Sequence, residues 1–444
     1  MPRKPAKTAV SAARPASERA ATTLLLLGMV AAGLLVDTGA ESAFDAPKRF
    51  AAVLATAAAA ALVLAFADLS RVRRAWSDAP LAARWSVAAF GAGLAGIAVS
   101  AVLSPRPAAS LATLRGTLVL ALAAPLATLL FDRSTMRRAL AWFVALASVN
   151  SAFSFLQRAG AWKPFAIERL AGRTDAIGLF GNEGVLALVA ALGATAAAAL
   201  WLDSREGGRA LHAAAFALNV AGVVASASVT AALALGAGIV VFALFRLPAG
   251  RLAVGALLLA LAGVAAFALL PQVRARVAEA RRLAASGDWD ALTSYRFGAW
   301  AAAGEMIAAR PLAGFGPGTF ASEFVTHRID AEKRWGRRLV NPAFAGGSYE
   351  DAHNDYLQIT AESGVPAASF LLFSFALAAL GLHRAARSAE GDAHDEAQSL
   401  LALGAVVAVA SLAWFPMQRP AMALLALMVL GRAWSLAAGL EAES

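Results

Sequence analysis

Residues 349–382 read YEDAHNDYLQITAESGVPAASFLLFSFALAALGL, and the change of character at Gly364 decides how the chain is read. Before it, Glu350, Asp351, His353, Asn354 and Asp355 make a dense polar cluster. After Pro366 the stretch carries no charge as far as Leu382. A run of that kind suits a helix crossing the hydrocarbon core of a bilayer. The polar cluster then sits at the mouth of a membrane span.

The same apolar pattern recurs along the chain. Only 15% of the 444 residues are charged, against roughly 25% in soluble domains, so most of the chain does not face water. Apolar runs at 21–36, 50–68, 85–104, 111–131, 139–157, 182–202, 211–227, 230–247, 252–270, 364–382, 397–416 and 419–437 predict an all-α polytopic membrane protein of about 12 transmembrane helices. The close pair at 211–247 and the final pair are the weakest of these spans. A basic tail, 1–20, precedes the first span, and no A-x-A cleavage site follows it. It reads as a retained first span with an inner N-terminus.

Orientation follows from basic residues in short loops. With the N-terminus inside, Arg73, Arg84, Arg133, Arg137, Arg209, Arg246 and Arg384 fall in inner loops. The formal charge of +10 therefore reads as topology and calls for no nucleic acid. The exception is the outer loop 158–181, with Arg158, Lys163, Arg169 and Arg173, a hint of anion binding. Spans 1–9 fill 21–270, spans 10–12 fill 364–437, and 438–444 is a short inner tail. Between them lies one large outer loop, 271–363, partly helical. In it SYRFGAWAAAGEMIAAR (294–310) has helical spacing and Pro311 closes it. GFGPGTF (314–320) is a turn. Trp300, Phe315, Phe320, Phe324 and Trp335 argue against disorder in this loop.

Chemistry narrows to few residues. The chain has no cysteine and five histidines. Topology leaves only His327 and His353 outside, and carboxylates and Asn354 surround His353. A histidine suits removal of a hydroxyl proton, although a loop histidine that caps the next helix fits the same local pattern. A cation held by Glu350, Asp351, His353 and Asp355 is a rival reading, weakened by the lack of a second nearby histidine. Outward arginines form the second group. Arg296 sits on the helical stretch beside Trp300, Arg310 ends it, Arg173 lies in the earlier outer loop, and Arg115 lies about one turn inside a span. Guanidinium forks bind phosphate oxygens bidentately; a solvated face is the alternative for each. GFGPG lacks the lysine of a nucleotide loop and reads as a turn that approaches a substrate closely.

The region RFGAWAAAGEMIAARPLAGFGPGTF…AHNDYLQITAESGVP resembles the O-antigen ligase and O-antigen polymerase family of bacterial inner-membrane glycosyltransferases. Arg296, Trp300, Pro311, Leu312, Gly314, Gly316, Gly318, Phe320, Ala352, His353, Asn354, Leu357, Glu362 and Gly364 fill the places of that family's loop motifs. GLFGNEGVLA (178–187) is a looser likeness, in which Asn182 matches while Glu183 and Gly184 depart. The resemblance implies a glycan donor on undecaprenyl pyrophosphate, presented at the periplasmic face. It implies arginines on the pyrophosphate, His353 as general base on an acceptor hydroxyl, and inversion at the anomeric carbon without metal, nucleotide or other cofactor. Asn354, Glu362, Gly314, Gly316 and Asn182 would support the site. The acceptor would be the lipid A core, with the growing glycan or a protein hydroxyl as alternatives. Membrane lipids would be the other partners. A further family arginine is replaced here by Val229 in SASVTAAL (226–233), and Arg115 or Arg173 could substitute. From other classes, a twelve-span transporter would carry its long connection centrally and inside and would repeat its halves, and a membrane scaffold without chemistry would rest on the missing arginine alone.

Overall fold

The computed structural model describes residues 15–40, 42–67, 76–77, 79–162, 176–204, 206–251, 254, 268, 271–340, 349–388 and 391–439. Every regular element among them is helical. Among the described residues, nine helices are long and apolar enough to cross a membrane: Ala46–Phe66, Leu81–Val102, Pro107–Leu130, Arg133–Arg158, Glu183–Leu202, Gly208–Ser226, Val229–Arg246, Asp355–Arg387 and Pro420–Ala437. The expected first and eleventh spans also form helices, Ala16–Leu34 and Asp392–Ala410. Both open on a charged first turn, so they fall outside the nine. The expected span 252–270 lies largely outside the described residues.

In chain order the helices are α1 (Ala16–Leu34), α2 (Ala46–Phe66), α3 (Leu81–Val102), α4 (Pro107–Ala121), α5 (Ala123–Leu130), α6 (Arg133–Arg158), α7 (Glu183–Leu202), α8 (Glu206–Ser226) and α9 (Val229–Arg246). The long segment supplies α10 (Pro271–Ser286), α11 (Trp289–Leu292), α12 (Phe297–Ala309) and α13 (Phe320–Trp335). The chain ends with α14 (Asp355–Ser388), α15 (Asp392–Ala410) and α16 (Pro420–Ala437). The expected single span at 111–131 breaks between α4 and α5. Pro125 explains the break, since its ring clashes with the carbonyl four residues earlier.

Two helices form the hub. The most apolar windows of α7 and α16 are 83% and 89% buried by protein, so their neighbours are helices and not lipid. Small residues let those neighbours approach. A Cβ on Gly431 of α16 would lie 2.0 Å from the Ala124 carbonyl oxygen, and one on Gly193 of α7 would lie 2.4 Å from Ala147 Cβ.

The bundle has two distinct ends. At one, Arg133 and Arg137 pair with Asp203, and Arg246 reaches Asp395 at 2.7 Å. Deeper in, Arg432 grips Glu396 through two bonds of 2.7 and 2.8 Å, both residues buried. At the other end, the α3–α4 and α15–α16 turns meet the long segment, and the α1–α2 turn reaches the α15–α16 turn through Asp45 and Arg419. Ser104 Oγ donates to the Phe315 carbonyl (2.6 Å), Arg106 pairs with Glu323 (2.9 Å), and Arg310 donates to the Leu103 carbonyl (2.8 Å).

The long segment has its own small core of Ala299, Ala302, Ala303, Met306, Phe315, Phe320, Phe324, Val340, Ala352 and Ala361. The helix expected over 294–310 starts later, at Phe297. Ser294 and Tyr295 take left-handed φ of 56° and 63°, which no helix interior permits. Thr293 Oγ1 accepts from Phe297 N–H (2.9 Å) and Asp290 Oδ1 from Gly298 N–H (3.0 Å), which fixes the start of α12.

α14 joins loop to membrane and is not one straight helix. Gly364 interrupts it at φ 82°, ψ 161°, two residues before Pro366. A Cβ on Gly364 would stand 2.2 Å from the Leu312 carbonyl oxygen, so glycine is required there on two counts. The freed Val365 N–H donates to the Pro311 carbonyl (2.8 Å). The bend turns the first part of α14, Asp355 to Ser363, away from the line of the span.

Candidate active site

The site grows from the loop before α14. His353 has a left-handed φ of 51°, uncommon for a residue with a Cβ. Its neighbours hold that turn. Ala352 N–H donates to Gln358 Oε1 (2.8 Å), and Leu357 N–H donates to Asn354 Oδ1 (2.9 Å). Asn354 Nδ2 reaches across to the Leu412 carbonyl (2.8 Å). Asp355 accepts from Ser411 Oγ (2.9 Å) and Met417 N–H (3.0 Å). Asn354 and Asp355 thus clamp the histidine loop to the α15–α16 turn. The capping expected of the histidine itself is done by Asn354.

That turn supplies an aromatic wall. Trp414 and Phe415 stack 5.0 Å apart at 12°. His353 packs 5.0 Å from each ring, with Tyr349 edge-on at 5.9 Å. Arg296, at the start of α12, lies with its guanidinium carbon 5.1 Å from the Trp414 centroid. Arg419 stacks on Phe415 at 4.6 Å. Its guanidinium pairs with Asp45 and stands 3.7 Å from Asp351. His353, Arg296 and Arg419 therefore share one aromatic pair.

Burial tunes this corner. Partial burial depresses the Arg296 guanidinium below its ordinary range, and the nearby Tyr349 hydroxyl opposes the shift. Burial pushes Tyr349 up to about 12, with Asp290 adding to the shift. Its hydroxyl stays protonated and donates to the Tyr295 carbonyl. Burial also raises Asp351, and Arg419 works against the rise. Among the described residues, Arg419 Nε and Trp414 Nε1 are buried donors without an acceptor.

The other expected residues fall in two groups. Glu362, Gly314 and Gly316 build the backbone beneath the site. Glu362 Oε1 accepts from Phe320 N–H (3.0 Å), and its carbonyl accepts from Gly316 N–H (2.7 Å) and Ser100 Oγ (2.7 Å). A Cβ on Gly314 would meet that same backbone at 2.4 Å, and one on Gly316 would meet Ser110 Oγ at 2.2 Å. Asn182 caps α7, accepting from Gly184 N–H (2.8 Å) and Val185 N–H (3.2 Å). A Cβ on Gly184 would lie 2.6 Å from the Trp414 ring. The glycine that departs from the resembled pattern is thus what lets the indole approach α7. Arg310 is engaged at the α3 end and lies over Phe315. Arg115 is exposed on α4. Arg173 lies outside the described residues. Val229 is exposed at the start of α9, just after the capping Ser228. Glu350, Asp351, His353 and Asp355 do not converge; among the described residues no group of three His, Asp or Glu side chains has the placement of metal ligands.

Trp414, Phe415 and Arg419 escaped the sequence reading. Arg419 carried a signal, a lone arginine in a short outer turn against the inner-loop bias. Trp414 and Phe415 looked like the ordinary end of a span.

A family model described as O-antigen ligase matches residues 214–372, a stretch that includes Arg296 and His353. The match is consistent with membership of that family. No curated protein matches the chain.

Proposed function

We propose that this chain is a glycosyltransferase of the O-antigen ligase family, moving a glycan from an undecaprenyl-pyrophosphate donor to an acceptor hydroxyl at the periplasmic face of the bacterial inner membrane. The observation that carries the reading is the shared aromatic wall, which puts a histidine and two guanidinium groups on one pair of rings. The family match over both Arg296 and His353 supports it.

In this reading Arg296 and Arg419 hold the pyrophosphate. Arg419 takes the place left by Val229, and its buried Nε and the Trp414 indole N–H are donors suited to phosphate oxygens. His353 accepts the proton of the acceptor hydroxyl as its oxygen attacks the anomeric carbon. The bond from that carbon to the pyrophosphate oxygen breaks on the opposite side. A new glycosidic bond forms with inversion, and undecaprenyl pyrophosphate leaves with the bonding electrons. The guanidinium groups stabilise the charge that gathers on it.

The preferred acceptor is the lipid A core, because one large loop with the Ala352–His353–Asn354 run resembles the ligase branch. A deletion strain tests this. Ligase loss leaves long glycan chains on undecaprenol and none on the lipid anchor. Polymerase loss leaves single repeats on the lipid anchor. An unchanged surface polysaccharide and unchanged lipid-linked pool would remove the transferase reading altogether.

A further inference from the structure

A second aromatic surface lies on the outer side of α12 and is not used by the chemistry above. Phe297, Trp300 and Gly304 of α12 and Trp335 of α13 line an open groove, with Glu305 and Arg334 at its rim. The spacing of 297, 300 and 304 places them on one face of the helix, opposite the face that buries Ala299, Ala302 and Met306. Phe297 stands edge-on to Trp335, centroids 5.2 Å apart at 87°. Trp335 is 48% exposed, a large aromatic that the protein leaves uncovered. Glu305 and Arg334 pair at 2.9 Å. A Cβ on Gly304 would meet nothing within 4 Å, so there is free space above the groove floor at that residue.

We propose that this groove binds a pyranose chain, the glycan flanking the bond that is made at His353; the identity of the chain rests on the transferase reading. The lining chooses the ligand class. An acyl chain or apolar peptide would gain the aromatic area but would strip water from the Glu305–Arg334 pair without replacing its hydrogen bonds. A sugar ring supplies both contacts. Its C–H faces lie against aromatic rings, and its equatorial hydroxyls bond to a carboxylate and a guanidinium. Arg296 and Phe297 are consecutive at the start of α12, so the groove begins one residue along the chain from the candidate site. A chain leaving the reaction centre past Arg296 meets Phe297, then Trp300 and Trp335.

Gly304 gives a clean test. Gly304→Leu fills the groove where the structure has room, and it replaces a helical glycine with a better helix former. The probes are the oligosaccharide released by mild acid from the cell's lipid-linked pool and maltoheptaose. Each is titrated by tryptophan fluorescence against the full chain in detergent. The wild type and His353→Ala should bind the released oligosaccharide saturably, and Gly304→Leu and Trp335→Ala should bind it about tenfold more weakly. Gly304→Leu should also raise KM for one substrate in a transfer assay. A rise for the acceptor assigns the groove to the acceptor glycan, and a rise for the donor assigns it to the donor glycan. No saturable binding to the wild type, or undiminished binding by both groove variants, overturns the proposal. Transfer retained by His353→Ala would instead remove the catalytic reading and leave the groove result standing.

Discussion

Arg296 and Trp414 are 118 residues apart in the chain, yet the guanidinium carbon lies 5.1 Å from the indole centroid. The same indole packs 5.0 Å from His353. One side chain in the α15–α16 turn therefore sets where the Arg296 guanidinium stands relative to the His353 imidazole. Trp414 is a positioning residue with its own N–H to offer. Trp414→Ala should lower transfer by about 30-fold, as the loss of about 2 kcal/mol of cation–π and packing energy implies. Trp414→Phe should recover part of it. Parallel rates for all three proteins would show that the indole positions nothing.

His353→Ala and His353→Gly should both abolish transfer while leaving the protein in the membrane. The glycine variant and a valine variant should differ in stability. Glycine adopts a φ of 51° without strain, whereas His353→Val should cost about 1–3 kcal/mol at that backbone angle. Thermal unfolding in detergent separates the strain from the chemistry. Wild-type turnover by the glycine variant would remove the general-base role.

Arg296→Lys should lose most activity. An ammonium is a point charge, cannot stack its plane on Trp414 and cannot present two parallel N–H groups to a phosphate. The expected loss is about 10-fold to 100-fold in kcat/KM for the donor, with acceptor KM little changed. A lysine variant with an unaltered donor KM and rate would place the pyrophosphate elsewhere.

Asp351 gives a pH prediction. Burial raises its folded pKa above the ordinary 3.8, and Arg419 opposes the rise. A raised carboxyl favours the fold while it is neutral, so its contribution is present below the unfolded pKa and is lost as pH rises through the folded value. Arg419→Ala removes the opposing cation and raises Asp351 further. That variant should lose more thermal stability at about pH 8 than at about pH 4, and adding Asp351→Asn should reduce the difference. An equal loss at both ends of the range would contradict the assignment.

Gly364→Ala should be among the most damaging single methyl groups in the chain. It forces a Cβ to within 2.2 Å of the Leu312 carbonyl at a φ of 82°. Because the clash lies at the bend between loop and span, the expected effect is poor membrane accumulation, read by immunoblot of the membrane fraction. Normal accumulation would mean that the bend relaxes freely.

Several features were legible in the chain itself. The apolar period placed most helices within a few residues, because a span's length and composition are local properties. The polar run at Glu350–Asp355 marked the loop that carries the site, and Pro311 marked the end of α12. The start of α12 was not legible. It depends on left-handed Ser294 and Tyr295 and on Asp290 bonding back to Gly298, and nothing in the period reports a backbone reversal of that kind. The break of α14 at Gly364 was partly visible through Pro366, but its necessity comes from Leu312, far away in sequence.

The sequence alone determined that the chain is a helical membrane protein and that His353 and Arg296 are its strongest reactive candidates, since residue type and topology suffice for both. Only the tertiary structure decided what surrounds them. Asp45 comes from the α1–α2 turn, Arg296 from the long loop, and Trp414, Phe415 and Arg419 from the α15–α16 turn. They meet because each of those turns lies at the same end of the bundle, and packing of the hub helices α7 and α16 fixes that meeting. Contacts between segments hundreds of residues apart leave no periodicity to read, so His353 and Arg296 were visible beforehand and the aromatic wall they share was not.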